Sequence, residues 1–129
     1  MSHATLVSVD LVQAEEDCER MQSYAKPKQT IRFVKGDSHD PAIRRHVEDS
    51  VGFADLLHID GDHSESSVRA DWADYSPLVR PGGLVVFHDI SDGGPIGDLW
   101  AELSRLFWNV KFVEANGNDG WGGIGVLRI

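Results

Sequence analysis

The sequence predicts an α/β fold in which helices cover a mostly parallel β-sheet. Short β-branched runs alternate with stretches of helical period, which is typical of parallel strands joined by helical crossovers. The first run, Thr5 to Asp10, is apolar at nearly every position, as in strands that are buried on both faces. The last two runs are joined by residues 115–122, too few for a crossover of about a dozen residues. We therefore expect six strands and four helices, ending in an antiparallel strand pair.

The N-terminal part of the chain predicts two strand-and-helix pairs. Ile31 to Lys35 is the second strand. Asp40 followed by Pro41 has the pattern of an N-cap and a first helical residue, and the helix that they begin is expected to end near Gly52. The helix before the second strand has one apolar face, formed by Ala14, Cys18, Met21 and Ala25.

The C-terminal part predicts four further strands and two helices. Ala54 to Asp60 is the third strand, and Ser64 is the expected N-cap of the next helix. Pro81 and the Gly82-Gly83 pair are expected to interrupt the chain before a fourth strand, Leu84 to His88. The remaining elements are a helix with Ile96, Leu99, Trp100, Leu103, Leu106 and Phe107 on one face, and the strands Val110 to Glu114 and Gly123 to Ile129.

The composition is typical of a folded globular domain and argues against nucleic-acid binding and membrane insertion. The chain has 129 residues, 41% of them hydrophobic and 26% charged, so we expect a single folded domain over residues 1–129. Its net charge is -9 and its basic residues are scattered, which argues against nucleic acid as a partner. No apolar run reaches the roughly 18 residues that cross a bilayer, and Cys18 is the only cysteine. We expect a cytoplasmic protein that binds no membrane.

Acidic residues follow the predicted strands. Open parallel sheets bind their ligands beyond the carboxyl ends of the strands, so these positions are the candidate site. The four segments are Asp10, Asp37-Ser38-His39-Asp40, Asp60-Gly61-Asp62-His63 and His88-Asp89.

Each of these residues has a functional and a structural interpretation. Asp10 is placed either to accept hydrogen bonds from ribose hydroxyls or to cap the next helix. Asp60 and Asp89 are expected to converge on a hard dication such as Mg²⁺, with His88 as a third ligand or as a core histidine. His63 is either a general base or an ordinary exposed histidine.

Residues 56–90, LLHIDGDHSESSVRADWADYSPLVRPGGLVVFHDI, resemble a subgroup of the class I S-adenosylmethionine-dependent methyltransferases. This subgroup includes cephalosporin-hydroxylase-like and sugar O-methyltransferase proteins. VSVDL, VKGDS and GWGGIGVL resemble the family's second, third and final strands, so nearly the whole chain is covered. The resemblance implies a Rossmann-like methyltransferase sheet with S-adenosylmethionine as cofactor.

The resemblance also implies roles for single residues. Asp10 would contact the cofactor ribose, Asp37 and Ser38 would lie by the adenine, and Asp60 would border the methyl-transfer site. In metal-dependent relatives, the residues that match Asp60, His88 and Asp89 hold Mg²⁺, which binds and activates the acceptor hydroxyl. The implied reaction is O-methyl transfer to a small hydroxylated acceptor such as a sugar or natural product. Asp60, beside the implied transfer site, and His63, on the loop that follows it, are the candidate catalytic residues.

Two positions depart from the family pattern. His88 stands where related metal sites usually have a carboxylate or an amide, and Glu65 replaces a common aromatic residue.

The resemblance begins at the family's second strand, so the chain is expected to be truncated at its N-terminus. The resemblance implies that the central first strand and the glycine-rich cofactor turn are the missing parts. We expect the gap either to be closed by direct pairing of the family's second and fourth strands or to be filled by a second copy or another chain. An alternative is a non-catalytic remnant of the fold. A third interpretation is a metal-dependent phosphoesterase with ligands from residues 36–40 and 61–63.

Overall fold

Strands and helices alternate along the chain as the sequence predicts. The computed structural model describes residues 3–91, 93–113 and 122–129, and within these it contains six strands and four α-helices, which confirms the α/β class. The elements are β1 Ala4–Asp10, α1 Glu15–Ser23, β2 Gln29–Lys35, α2 Pro41–Val51, β3 Ala54–Ile59, α3 Glu65–Tyr75, β4 Val79–His88, α4 Pro95–Leu103, β5 Trp108–Phe112 and β6 Ile124–Arg128.

These elements form two compact units, Met1–Gly52 and Phe53–Ile129. The first unit contains β1, α1, β2 and α2, and the second contains the other strands and helices. The single domain that the composition predicts remains a prediction.

The first unit is built on a parallel strand pair. β1 and β2 pair in register from Ala4 opposite Gln29 to Asp10 opposite Lys35. The predicted N-cap of α2 is confirmed, since the Asp40 carboxylate accepts a hydrogen bond of 2.7 Å from the Ala42 amide. α2 ends at Val51 with Gly52 as its C-cap, which confirms the predicted end near Gly52.

The second unit contains a mixed sheet with the strand order β3-β4-β6-β5. β3 and β4 are parallel, whereas β6 runs antiparallel to both β4 and β5. The predicted antiparallel pair at the C-terminal end is therefore confirmed. Of the segment predicted to connect that pair, 115–122, all but Gly122 lies outside the described residues.

The predicted start of the fourth strand was wrong. β4 begins at Val79 rather than at Leu84, so Pro81 and the glycine pair lie within the strand. A register irregularity accommodates them, because Ala54 pairs with Val79 but Leu56 already pairs with Leu84. Gly82 has a φ of +83°, a conformation that glycine adopts without steric cost.

The core of the second unit lies between its sheet and the helices α3 and α4. Its most buried side chains are Val68 of α3, Val85 and Phe87 of β4, and Leu127 of β6. α3 and α4 are also joined at the surface, where two guanidinium nitrogens of Arg69 donate to the two carboxylate oxygens of Glu102 at 3.0 and 2.8 Å. This arrangement fixes the ends of β3 and β4, where the acidic residues lie.

The direct strand pairing that was one way to close the sheet is not formed. Among the described residues β1 is hydrogen-bonded only to β2, and β3 only to β4, so the strands belong to two separate sheets. Within the same residues, no helix combines the length and apolar character that crossing a membrane requires.

Candidate functional site

The segment between β3 and α3 carries two of the predicted site residues, Asp60 and His63. Ser64 caps α3 as predicted, its hydroxyl oxygen accepting a hydrogen bond from the Ser67 amide. The Ser64 hydroxyl in turn donates to the Asp62 carboxylate at 2.5 Å. This bond, together with a hydrogen bond from the Ser67 side chain to the same carboxylate, lowers the pKa of Asp62 below its ordinary value. The segment is thus tied to the first turn of the helix that follows it.

Asp89 follows β4 and is held in an unusual backbone conformation. Its φ is +61°, which is uncommon for residues other than glycine and is best tolerated by Asn and Asp. Gly122 packs directly against it, because a side-chain carbon at position 122 would overlap the Asp89 carboxylate and lie 2.6 Å from its Cα. The Ser91 amide also donates to the Gly122 carbonyl at 2.7 Å. The Asp89 side chain is thereby mostly buried and fixed in place.

Asp60, His63 and Asp89 come together at the carboxyl ends of β3 and β4. Each offers one ligand atom, and these atoms all lie within 4.8 Å of one another. His63 Nε2 lies 3.3 Å from Asp89 Oδ2. The convergence follows from the parallel pairing of β3 with β4, which places both strand ends at the same edge of the sheet.

His88 lies against the two carboxylates of this cluster. Its Nδ1 is 3.0 Å from Asp89 Oδ1 and 3.4 Å from Asp60 Oδ1. The sequence predicts Asp60, His88 and Asp89 as metal ligands, and the structure brings all three together. However, the three residues whose ligand atoms lie close enough together to share one metal ion are Asp60, His63 and Asp89, with His63 in place of His88.

The donor set has two chemical capacities. Two carboxylates are the ligands with which proteins bind Mg²⁺, usually together with waters and an oxygen of the substrate. An imidazole next to them can accept a proton from a hydroxyl group, and a carboxylate partner such as Asp89 stabilises the imidazolium that results. The cluster therefore combines a place for a dication with a candidate base.

The predicted cofactor residues Asp10, Asp37 and Ser38 lie in the first unit, at the carboxyl ends of β1 and β2. The exposed Asp10 carboxylate accepts a hydrogen bond of 3.0 Å from the Val12 amide. The Asp37 carboxylate accepts one of 2.9 Å from the His39 amide. Both carboxylates shape their own turns and retain exposed oxygen lone pairs, so their local structural roles are compatible with ligand binding.

Sequence reasoning missed two residues that lie next to the site. Gly122 was assigned only to the connection between the last two strands, although its lack of a side chain is what allows Asp89 to approach. Asp71 on α3 was not singled out, although it is the charged residue that is buried among those described. A charged residue near the apolar face of a predicted helix was the signal available for Asp71.

Comparison with known proteins identifies the class. Residues 1–90 match the family model described as a methyltransferase domain, a match that covers more than half of the chain. The chain belongs to this family, the class I S-adenosylmethionine-dependent methyltransferases that the sequence resembles.

Over part of its length, the chain is similar to proteins named as O-methyltransferases. It is 37% identical over 60 residues to mycinamicin VI 2''-O-methyltransferase of Micromonospora griseorubida, a match that covers 46% of this chain and 15% of that protein. It is 36% identical over 63 residues to demethylmacrocin O-methyltransferase of Streptomyces fradiae, covering 49% and 16%. The matched region is thus a small part of these longer relatives.

Solved structures share the fold. The MycE methyltransferase of mycinamycin biosynthesis, in complex with Mg, SAH and mycinamycin VI, superposes with a TM-score of 0.61 at 18% identity, over 98% of this chain and 44% of that one. A caffeoyl-CoA O-methyltransferase-like protein from Staphylococcus aureus gives a TM-score of 0.65 at 16% identity, over 98% and 64%. At these identities the similarity defines the Rossmann-like methyltransferase fold.

Proposed function

We propose that the site at the ends of β3 and β4 takes part in methyl transfer from S-adenosylmethionine to a hydroxyl group of a small acceptor, with help from a divalent metal ion. The observation that carries the proposal is the meeting of Asp60, His63 and Asp89 in a chain of the methyltransferase family. The relatives named as O-methyltransferases of mycinamicin VI and demethylmacrocin support a small organic molecule with a hydroxyl group as the acceptor.

Asp60 and Asp89 are the residues that would hold the metal. Their carboxylates are hard oxygen donors that suit Mg²⁺, and the half-buried His88 supports them through Nδ1. A dication bound there would supply positive charge that lowers the pKa of the acceptor hydroxyl. Because the two carboxylates would hold the metal, His63 would be free to accept the proton of the acceptor hydroxyl.

His63 would accept the proton of the acceptor hydroxyl. As the oxygen attacks the methyl carbon, the carbon–sulfur bond of the sulfonium breaks and its electron pair remains on sulfur, which gives S-adenosylhomocysteine. Asp89 Oδ2, 3.3 Å from His63 Nε2, would stabilise the protonated imidazole. The chain's main contribution is alignment of the oxygen with the methyl group.

Asp10, Asp37 and Ser38 are the proposed cofactor contacts. Their place at the ends of β1 and β2 is where open α/β sheets bind ligands, and an acidic residue after a buried strand is suited to paired ribose hydroxyls. Asp10 is the sharpest test because its carboxylate is exposed.

Two binding measurements test the function without knowledge of the acceptor. Isothermal titration calorimetry with S-adenosylmethionine is expected to show binding that Asp10→Asn weakens. The control is Asp49→Asn, an exposed residue of α2, which should leave the binding unchanged.

Mn²⁺ titration followed by electron paramagnetic resonance is expected to show one site that Asp89→Asn removes, because Asn keeps the backbone preference but not the charge. Absence of cofactor binding at millimolar concentration would support the non-catalytic remnant instead. The phosphoesterase alternative gains no support from the family match.

A further inference from the structure

Asp71 is a buried carboxylate that the proposed mechanism does not use. It lies on α3, and the whole residue is 8% exposed. Burying a carboxylate is costly unless polar groups surround it, so a position of this kind usually serves the structure around it or a site. Among the described residues no other charged residue is buried.

The Asp71 carboxylate lies directly beneath the segment that carries Asp60 and His63. A Cβ atom at Gly61 would stand 3.3 Å from Asp71 Oδ2, so the glycine backbone and the carboxylate are in close contact. Helix geometry explains the approach, because side chains on an α-helix point toward its N-terminus and α3 begins just after this segment.

The same segment is held from its other side by Asp62. That carboxylate is fully exposed and bonds to the first turn of α3 through Ser64. Asp62 therefore fixes the outer side of the segment, whereas Asp71 faces its inner side at Gly61. Asp60 immediately precedes Gly61, so displacement at Gly61 moves the site carboxylate.

From this contact we infer that Asp71 is a positioning residue: it sets the conformation of residues 60–63 and thereby the relative placement of Asp60 and His63. In this role Asp71 acts through those two residues and not by direct contact with metal or substrate. The inference rests on the proposed function insofar as those two residues act in methyl transfer, while the positioning itself can be measured without activity.

The first test is NMR spectroscopy of the labelled full chain. Asp71→Asn is expected to shift the Gly61–Ser64 amide signals and the His63 imidazole signals. Leu103→Ala is the matched control for lost stability, because Leu103 is buried in the same core but lies at the far end of α4. Asp49→Asn is the control for lost charge. Unchanged loop and His63 signals in Asp71→Asn, or equal shifts in Leu103→Ala, would overturn the inference.

Gly61→Ala provides an independent variant if Asp71→Asn does not fold. The added methyl group presses on the same carboxylate without changing any charge, and it is expected to shift the same signals. The double variant Gly61→Ala/Asp71→Ala has room for the methyl group, so its effects should be clearly non-additive. If the effects of Gly61→Ala alone and Asp71→Ala alone add up to the effect of the double variant, position 61 and Asp71 act separately, and the inference would fail.

A measurement of Mn²⁺ affinity tests whether the positioning by Asp71 affects the proposed metal site. Asp71→Asn is expected to weaken Mn²⁺ binding about tenfold or more, as changes to the residues that support metal ligands do, while the two controls leave it unchanged. Equal affinity in Asp71→Asn and wild type would refute the link. If wild type binds no Mn²⁺ but the His63 signals still respond to Asp71, the metal part of the proposed function fails and the positioning inference stands.

Discussion

At the scale of single residues, Asp62 shows how the segment after β3 is shaped by its immediate neighbours. The Ser64 hydroxyl, with that of Ser67, bonds to the ionised carboxylate and lowers the pKa of Asp62 in the folded chain. A carboxylate whose folded pKa lies below its unfolded value stabilises the fold above the unfolded value. That contribution disappears as the pH falls through the folded pKa.

This linkage predicts a pH dependence for Asp62→Asn. The melting temperature of wild type should fall more than that of the variant between about pH 5 and about pH 2, because only wild type has this carboxylate to protonate. Circular dichroism melts at several pH values measure the difference, with exposed Asp49→Asn as the control. Parallel curves for wild type and Asp62→Asn would contradict the role assigned to the Ser64 bond.

The candidate site could be predicted from sequence to the extent that it follows from strand ends. Asp60 and Asp89 directly follow a strand, His88 ends one and His63 lies on the loop after β3, and parallel pairing of β3 with β4 brings these positions together. What sequence could not supply is which imidazole faces which carboxylate, since that depends on the left-handed backbone of Asp89 and on its contact with Gly122.

At the scale of helices and strands, α4 packs on the sheet through a glycine. A side-chain carbon at Gly125 of β6 would overlap the indole ring of Trp100, including its Nε1 atom, so a methyl group cannot fit without displacing α4. Trp100 is itself mostly buried. The close approach of helix and strand here depends on the missing side chain.

Gly125→Ala should therefore destabilise the fold by about 2 to 3 kcal/mol, the cost of overpacking a core. Urea unfolding measures the free energy of unfolding. Gly93→Ala is the control: no atom lies within 4 Å of that position, so only its φ of +67° contributes, a cost of about 1 to 2 kcal/mol. Equal or larger destabilisation by Gly93→Ala would argue against the Trp100 contact.

Element identity was predictable and strand limits were less so. The caps Asp40 and Ser64 define helix starts through local hydrogen bonds, which sequence patterns encode directly. β4 extends back to Val79 because β3 and the end of β6 offer pairing partners, the Ile129 amide donating to the Gly83 carbonyl at 3.0 Å. Such long-range pairing overrides the local signal of Pro81 and the two glycines.

At the scale of the whole molecule, the strands are divided between two sheets, and β3 is an edge strand of the four-stranded sheet. β3 bonds only to β4 among the described residues, which leaves the backbone groups on its other side open to pairing. Leu56 of β3 is 53% exposed and lies opposite Leu84, on the sheet face away from Phe87. An open apolar edge of this kind favours association with a further strand.

We expect a second chain to cover this edge, so the purified chain should have a solution mass above that of one copy. Leu56→Lys should shift it toward a single copy, because a charged edge opposes strand addition. Leu106→Lys is the matched control, since Leu106 is 76% exposed after α4 and away from β3. Size-exclusion chromatography with light scattering reads the mass directly. A single-copy mass for wild type across concentrations would mean that no second copy covers β3, and the same loss of mass in both lysine variants would mean that the association is nonspecific.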